Sequence, residues 1–210
     1  MPKIQENFGF QELPHALFYS FDRSLRFELG GEKFGTNRPI RRFFQAHVRS
    51  SAISQTLLKK SSEVYVLLSS YGLEQPGKKR LDPLKLCGIN CSEIQYLGKT
   101  PQQDEHHAAE IGSDLFRHWD IVRLNDKETI SEILWLGISS EMRIEPSFRD
   151  SMQAYFVDES GELILHVYDD RGMDVAATRD EPMKELFSKY REWLLEHDLP
   201  RMNAMFGSDA

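Results

Sequence analysis

The chain has 210 residues, enough for one sizeable core and short for two comfortable domains. Hydrophobic residues make up 40%, charged residues 28%, and thirteen Phe supply large apolar surfaces, which excludes wholesale disorder. The net charge of −7 is unevenly placed, at +5 over residues 1–60, +1 over 61–100 and −13 over 101–210, and an acidic chain is a poor general binder of nucleic acid because phosphate contacts need a positive face.

Residues 1–20 carry the breakers Pro2, Gly9 and Pro14 and read as a loosely structured lead-in; the domain is expected over 17–210, with 1–16 outside it. LRFELG (25–30) alternates Leu25, Phe27 and Leu29 with Arg26 and Glu28, the period of a strand, and stops at Gly30-Gly31. Pro39 then opens a helix over 38–60, where Ile40, Phe43, Phe44, His47, Val48, Ile53 and Leu57 recur at helical spacing. EVYVLLSSYG (63–72) is nearly all apolar and β-rich, as in a central strand covered on both faces. A loop over 73–83, a short helix over 83–91 and a short strand over 92–98 follow, and the polar stretch 99–114 is expected to be an exposed loop. DLFRHWDIVRLN (114–125) alternates as a strand. Asp126 with Glu128 or Thr129 forms a capping signal, so 125–139 is expected to start as a helix and pass into a strand over ILWLGIS. Two strands over 152–170 flank the turn Glu159-Ser160-Gly161-Glu162, and an amphipathic helix over 181–198 presents Met183, Leu186, Phe187, Tyr190 and Leu194. Helices and strands mingle without strict alternation, so the fold expected is a single α+β domain: a mixed, mostly antiparallel sheet with two long helices packed mainly on one face.

No run approaches the roughly 20 apolar residues of a membrane helix, and the N-terminal residues lack the apolar core of a secretory signal. The two cysteines, Cys87 and Cys91, give no disulfide framework. A cytoplasmic location is the expectation, with no cofactor, no nucleic-acid or membrane partner, and the oligomeric state open.

The chemistry-bearing residues concentrate in HVYDDRGMDV (166–175). Asp169, Asp170 and Asp174 could hold a hard cation that activates water, with Arg171 clamping an anion and His166 acting as base. Asp169 and Asp170 would point to opposite faces of a strand, however, so a turn with internal pairing, through Gly172 at positive φ, is the preferred reading. Cys87, Cys91, His106, His107 and His118 lack a standard zinc spacing, so no metal site is assigned. Arg38, Arg41, Arg42 and Arg49 could place an anion at a helix start, or could pair with the acidic C-terminal half. No phosphate-loop, nucleophile-elbow, zinc-protease or dinucleotide motif is present.

LRFELGG (25–31), RFFQAHVRSSAI (42–53), WLGISSEM (135–142), HVYDDRGMDV and WLLEHD (193–198) together resemble a bacterial family of unknown function, domain of unknown function 3885, over most of the chain from about residue 17. That family has an association with Rhs-type polymorphic toxin loci, so the resemblance implies an immunity or accessory protein that binds a toxin, and it carries no catalytic residues with it. The leading expectation is therefore a protein-binding module, more a binder than an enzyme, with a basic protein such as a toxin meeting Glu141, Glu145, Asp150, Asp158 and Glu159, and with Arg38 and Arg42 as further contacts. The alternative is a metal-assisted hydrolase or nucleotide-acting enzyme built on Asp169, Asp170, Arg171, Asp174 and His166.

Overall fold

The computed structural model describes residues 2–9, 13–31, 34–101, 115–124, 126–149 and 151–207. Their strands are β1 (Ser24–Glu28), β2 (Val64–Gly72), β3 (Gln95–Pro101), β4 (Phe116–Leu124), β5 (Gln153–Asp158), β6 (Leu163–Val167) and β7 (Gly172–Ala177). The helices are α1 (Pro2–Phe8), α2 (Leu17–Ser20), α3 (Pro39–Leu57), α4 (Asp82–Lys85), α5 (Glu128–Ser139), α6 (Asp180–Lys189) and α7 (Leu199–Phe206). The strands form one sheet in the order β1-β7-β6-β5-β2-β4-β3, and every neighbouring pair is antiparallel. The fold is α+β, as expected, and the sheet is antiparallel throughout the described strands.

Alternation along each strand splits the interior into two cores. Val64, Val66 and Leu68 of β2, Leu163, Leu165 and Val167 of β6, and Met173, Val175 and Ala177 of β7 face the larger core, with α3, α5, α6 and α7 laid over it. The intervening positions, Leu67, Trp119, Tyr155, Val157, Ile164 and Ala176, face a smaller core closed by Ile4, Leu13 and Leu17. The described residues of the stretch read as a loose lead-in thus cover the second sheet face. Asn7 of α1 fastens it, donating to the Ser160 and Gly161 carbonyls at 2.9 and 3.0 Å. Gly161 sits at φ 70° in the β5–β6 turn, and Asp158 closes that turn by accepting the Glu162 and Leu163 N–H groups at 2.9 and 2.7 Å.

The expected pair of long helices is replaced by one long and several shorter ones. α3 has 19 residues, but the helix expected over 181–198 ends at Lys189. Beyond it the chain turns back to β1: Leu194 bridges Phe27, and the Leu195 N–H donates to the Arg26 carbonyl at 3.0 Å. α5 is helical through Ser139 and does not become a strand. Its apolar residues Ile130, Ile133, Leu134, Leu136 and Ile138 are all buried, so the run carries no clean period from which helix and strand can be told apart. Its start matches expectation, with the Asp126 carboxylate accepting the Thr129 N–H at 2.8 Å. The third strand runs later than expected, through Pro101, with a bulge at Tyr96/Gly98. The rest of the expected 99–114 loop lies outside the described residues.

Candidate functional site

Asp169, Asp170 and Arg171 form the turn between β6 and β7. The Asp169 carboxylate accepts the Arg171 backbone N–H at 2.7 Å and its side-chain Nε–H at 2.6 Å, closing the turn on itself. The Asp170 carboxylate goes elsewhere, to the Arg42 guanidinium of α3. Arg42 also donates to the Gly31 and Phe34 carbonyls, at 2.9 and 3.1 Å. The exit of β1 lies against the same turn: the Leu29 and Gly30 N–H groups donate to the Arg171 and Asp170 carbonyls at 2.9 and 2.8 Å. Arg49, one helical face on, donates to the Glu28 carbonyl at 2.8 Å and lies over Trp193. Gly172 holds its place by close approach and not by positive φ, since a Cβ there would overlap the Tyr168 hydroxyl and stand 3.0 Å from the Phe27 carbonyl.

Asp174 faces the second core, away from both. Together with Arg26, His166 and Tyr155 it forms a polar row across four strands, in register as Arg26↔Asp174, Asp174↔His166 and His166↔Tyr155. Arg26 grips Asp174 through Nε and Nη2 at 2.7 and 2.9 Å, and the Phe18 N–H adds a third bond at 3.0 Å. Burial pushes the Asp174 carboxyl above its ordinary value despite Arg26 pulling it down. His166 stacks on Tyr155 at 4.0 Å, and its Nδ1 lies 3.0 Å from the Ala154 carbonyl, so that nitrogen donates. Tyr155 receives an Arg117 N–H, and burial raises its hydroxyl to about 12. Arg117 in turn reaches the Leu13 carbonyl, so the cover of this face is bonded to the row beneath it.

The residues of the expected acidic cluster therefore part company. Asp169 serves its own turn, Asp170 ties the turn to α3, and His166 and Asp174 lie fully buried under the N-terminal segment. Among the described residues no group of three His, Cys, Asp or Glu could hold a metal ion. Cys87 is buried, which raises its thiol to about 11, and Cys91 is half-buried; His106 and His107 lie outside the described residues. His118 is held between the Tyr96 hydroxyl at 2.8 Å and the Gly72 carbonyl at 3.1 Å, beside the buried Arg80–Asp120 ion pair.

The expected contact residues are also divided. Glu141 and Glu145 are exposed beyond the end of α5. Asp158 is buried in its turn, and Glu159 accepts the Ser62 and Glu63 N–H groups at 3.0 and 3.2 Å. Partial desolvation would raise the Glu159 carboxyl, but those donors and the Ser62 hydroxyl outweigh it and hold it at about 2. Asp150 lies outside the described residues. Arg38 is exposed, whereas Arg42 is locked to Asp170.

One surface escaped the sequence pattern. α3 buries Phe43, Ala46, Ile53 and Leu57, but Ile40, Phe44 and Val48 are 66%, 56% and 60% exposed. These three recur at i, i+4 and i+8 and so form a continuous ridge along one side of the helix. His47, one step round the helix, lines an adjoining cavity of about 250 Å³ with Leu86, Cys87, Trp135 and Pro146. The signal was present in the sequence as apolar residues on too many sides of one helix, wider than the stripe a single core contact needs.

Comparison with known proteins finds a match to the family model described as "Domain of unknown function (DUF3885)" over residues 2–198. The chain is also similar to "Uncharacterized protein YnaE" of Bacillus subtilis (strain 168), 22% identical over 208 residues, covering 92% of this chain and 96% of the relative. No solved structure matches the chain.

Proposed function

This chain belongs to the DUF3885 family, and we propose that it works as a protein-binding module. The observation that carries this is the bare ridge of Ile40, Phe44 and Val48, a contiguous apolar surface of the kind that marks an interaction site. The way the DDRG turn spends its carboxylates supports it further, because Asp169 and Asp170 each answer a different arginine and hold the scaffold behind α3 in place. The physiological setting we propose is that of an immunity or accessory protein beside an Rhs-type polymorphic toxin. Exposed Glu141 and Glu145 are the residues available for a basic toxin surface. Titrating a purified Rhs-type toxin domain from the same genome against wild type and Phe44→Asp tests both parts. Binding to wild type and loss of at least about tenfold in the variant is the expected result. An unbound toxin domain rules out the setting, and binding indifferent to Phe44→Asp rules out the ridge.

A further inference from the structure

The ridge has a charge as well as a shape. From Arg38 to Lys60 the chain carries Arg38, Arg41, Arg42, Arg49, Lys59 and Lys60 and no Asp or Glu. Arg42 is spent on Asp170, Arg49 on the Glu28 carbonyl and Lys59 on Glu185. Arg38 and Arg41 are exposed and have no carboxylate partner among the described residues. Arg41 borders the ridge on the side opposite His47, at 100° per residue around the helix, so cations flank one edge, and a mostly apolar cavity with Ser131 and the exposed Glu132 in its lining opens along the other.

From this arrangement we infer that α3 docks an acidic amphipathic helix of a partner protein, an inference that rests on the binding role proposed for the ridge and not on the basic toxin surface set against Glu141 and Glu145. Apolar side chains spaced i, i+3, i+4 and i+7 on the partner would lie along Ile40, Phe44 and Val48, and one bulky side chain would fill the cavity between His47, Leu86 and Trp135. Carboxylates on the partner's flank would meet Arg38 and Arg41. A second copy of this chain fits less well. In a two-fold antiparallel pairing of α3 about Phe44, Ile40 meets Val48, but Arg41 faces His47 of the other copy, and α3 offers it no carboxylate. The overall charge of −7 does not oppose an acidic partner here, because screening over about 8 Å at physiological salt makes the local arginines dominate.

The test uses two synthetic 18-residue helices with Leu at the i, i+3, i+4 and i+7 positions, one with Glu and one with Lys on the remaining face, followed by fluorescence anisotropy. The Glu peptide is expected to bind wild type at least about tenfold more tightly than the Lys peptide at low salt, with the margin narrowing as salt is added. Arg38→Glu with Arg41→Glu is expected to reverse the preference, and Ile40→Ser with Phe44→Ser and Val48→Ser to abolish binding of both. Equal or tighter binding of the Lys peptide, still lost in the triple-serine chain, overturns the acidic partner and leaves the binding face standing. Failure of wild type to bind either peptide, or undiminished binding by the triple-serine chain, removes the binding face and the inference with it. Concentration-dependent dimerisation of wild type that the triple-serine chain lacks assigns the ridge to a second copy and also overturns the inference.

Discussion

Gly172 shows how far a single residue can be fixed by its surroundings. An added Cβ would overlap the Tyr168 hydroxyl and stand 3.0 Å from the Phe27 carbonyl oxygen, so the phenol must shift and the backbone of β1 must give. Gly172→Ala is expected to lower the unfolding free energy by about 2 kcal/mol or more in urea titrations. Tyr168→Ala in the same chain should return part of that loss, since the two changes share one contact. A loss below about 0.5 kcal/mol would show that the approach is not tight. Glu159 makes a pH-dependent claim of the opposite kind. Its folded-state carboxyl, at about 2, lies below its value in the unfolded chain, so its contribution is complete above pH about 4.5 and is lost as pH falls toward 2. Unfolding measured at pH 6 and pH 3 should therefore show a drop that Glu159→Gln reduces, and equal slopes for the two chains would refute it. Asp174 works the other way, because burial raises its carboxyl and its contribution weakens as pH rises through the folded-state value.

At the scale of elements, α3 has two apolar sides with different duties. Phe43 is 2% exposed and packs edge-on against Trp135 at 4.3 Å, whereas its neighbour Phe44 stands in solvent. Phe43→Ala is expected to cost about 3–5 kcal/mol, and Phe44→Ala less than about 0.5 kcal/mol. Chemical denaturation of the two variants separates a structural phenylalanine from a recognition one. Similar losses would mean that the ridge supports the fold and is not kept for a partner. The expected stripe of Ile40, Phe43, Phe44, His47 and Val48 merged these two sides, because helical spacing gives the angle between residues but not which angle faces the sheet. The α6 stripe was legible in part: Met183, Leu186, Phe187, Tyr190 and Leu194 are all buried, but Tyr190 and Leu194 lie beyond the last helical residue, Lys189.

For the molecule as a whole, the described residues of the N-terminal segment cover one face of the sheet. Ile4, Leu13 and Leu17 are 3%, 0% and 0% exposed, and they roof Leu67, Trp119, Tyr155 and Ile164. Each such burial is worth roughly 1.5–3 kcal/mol, so removing residues 1–17 takes away a large share of the 5–15 kcal/mol that holds a typical domain together. The truncated chain is expected to melt at least about 10 °C lower than the full chain and to bind a hydrophobic dye. An unchanged melting temperature would mean that the second face is stable without its cover. Among the described residues no helix is long and apolar enough to cross a membrane, so the apolar ridge of α3 is not part of a spanning segment.

The sequence by itself determined the α+β class, most strand positions, the start of α3 at Pro39, the Asp126 cap and the β5–β6 turn, since each follows from local period, φ restriction or a side chain bonding its own backbone. It also read Asp-Asp-Arg-Gly as a turn with internal pairing, because the segment has local donors enough to satisfy a carboxylate; the structure assigns that carboxylate as Asp169. Tertiary structure alone decided the rest. Asp170 finds Arg42 128 residues away, Asp174 finds Arg26 148 residues away, and neither partner can be inferred from spacing. The same holds for the roof over the second face and for the bare side of α3. Whether an apolar residue is core or interface depends on which elements arrive beside it, and that is set by the order of strands across the sheet.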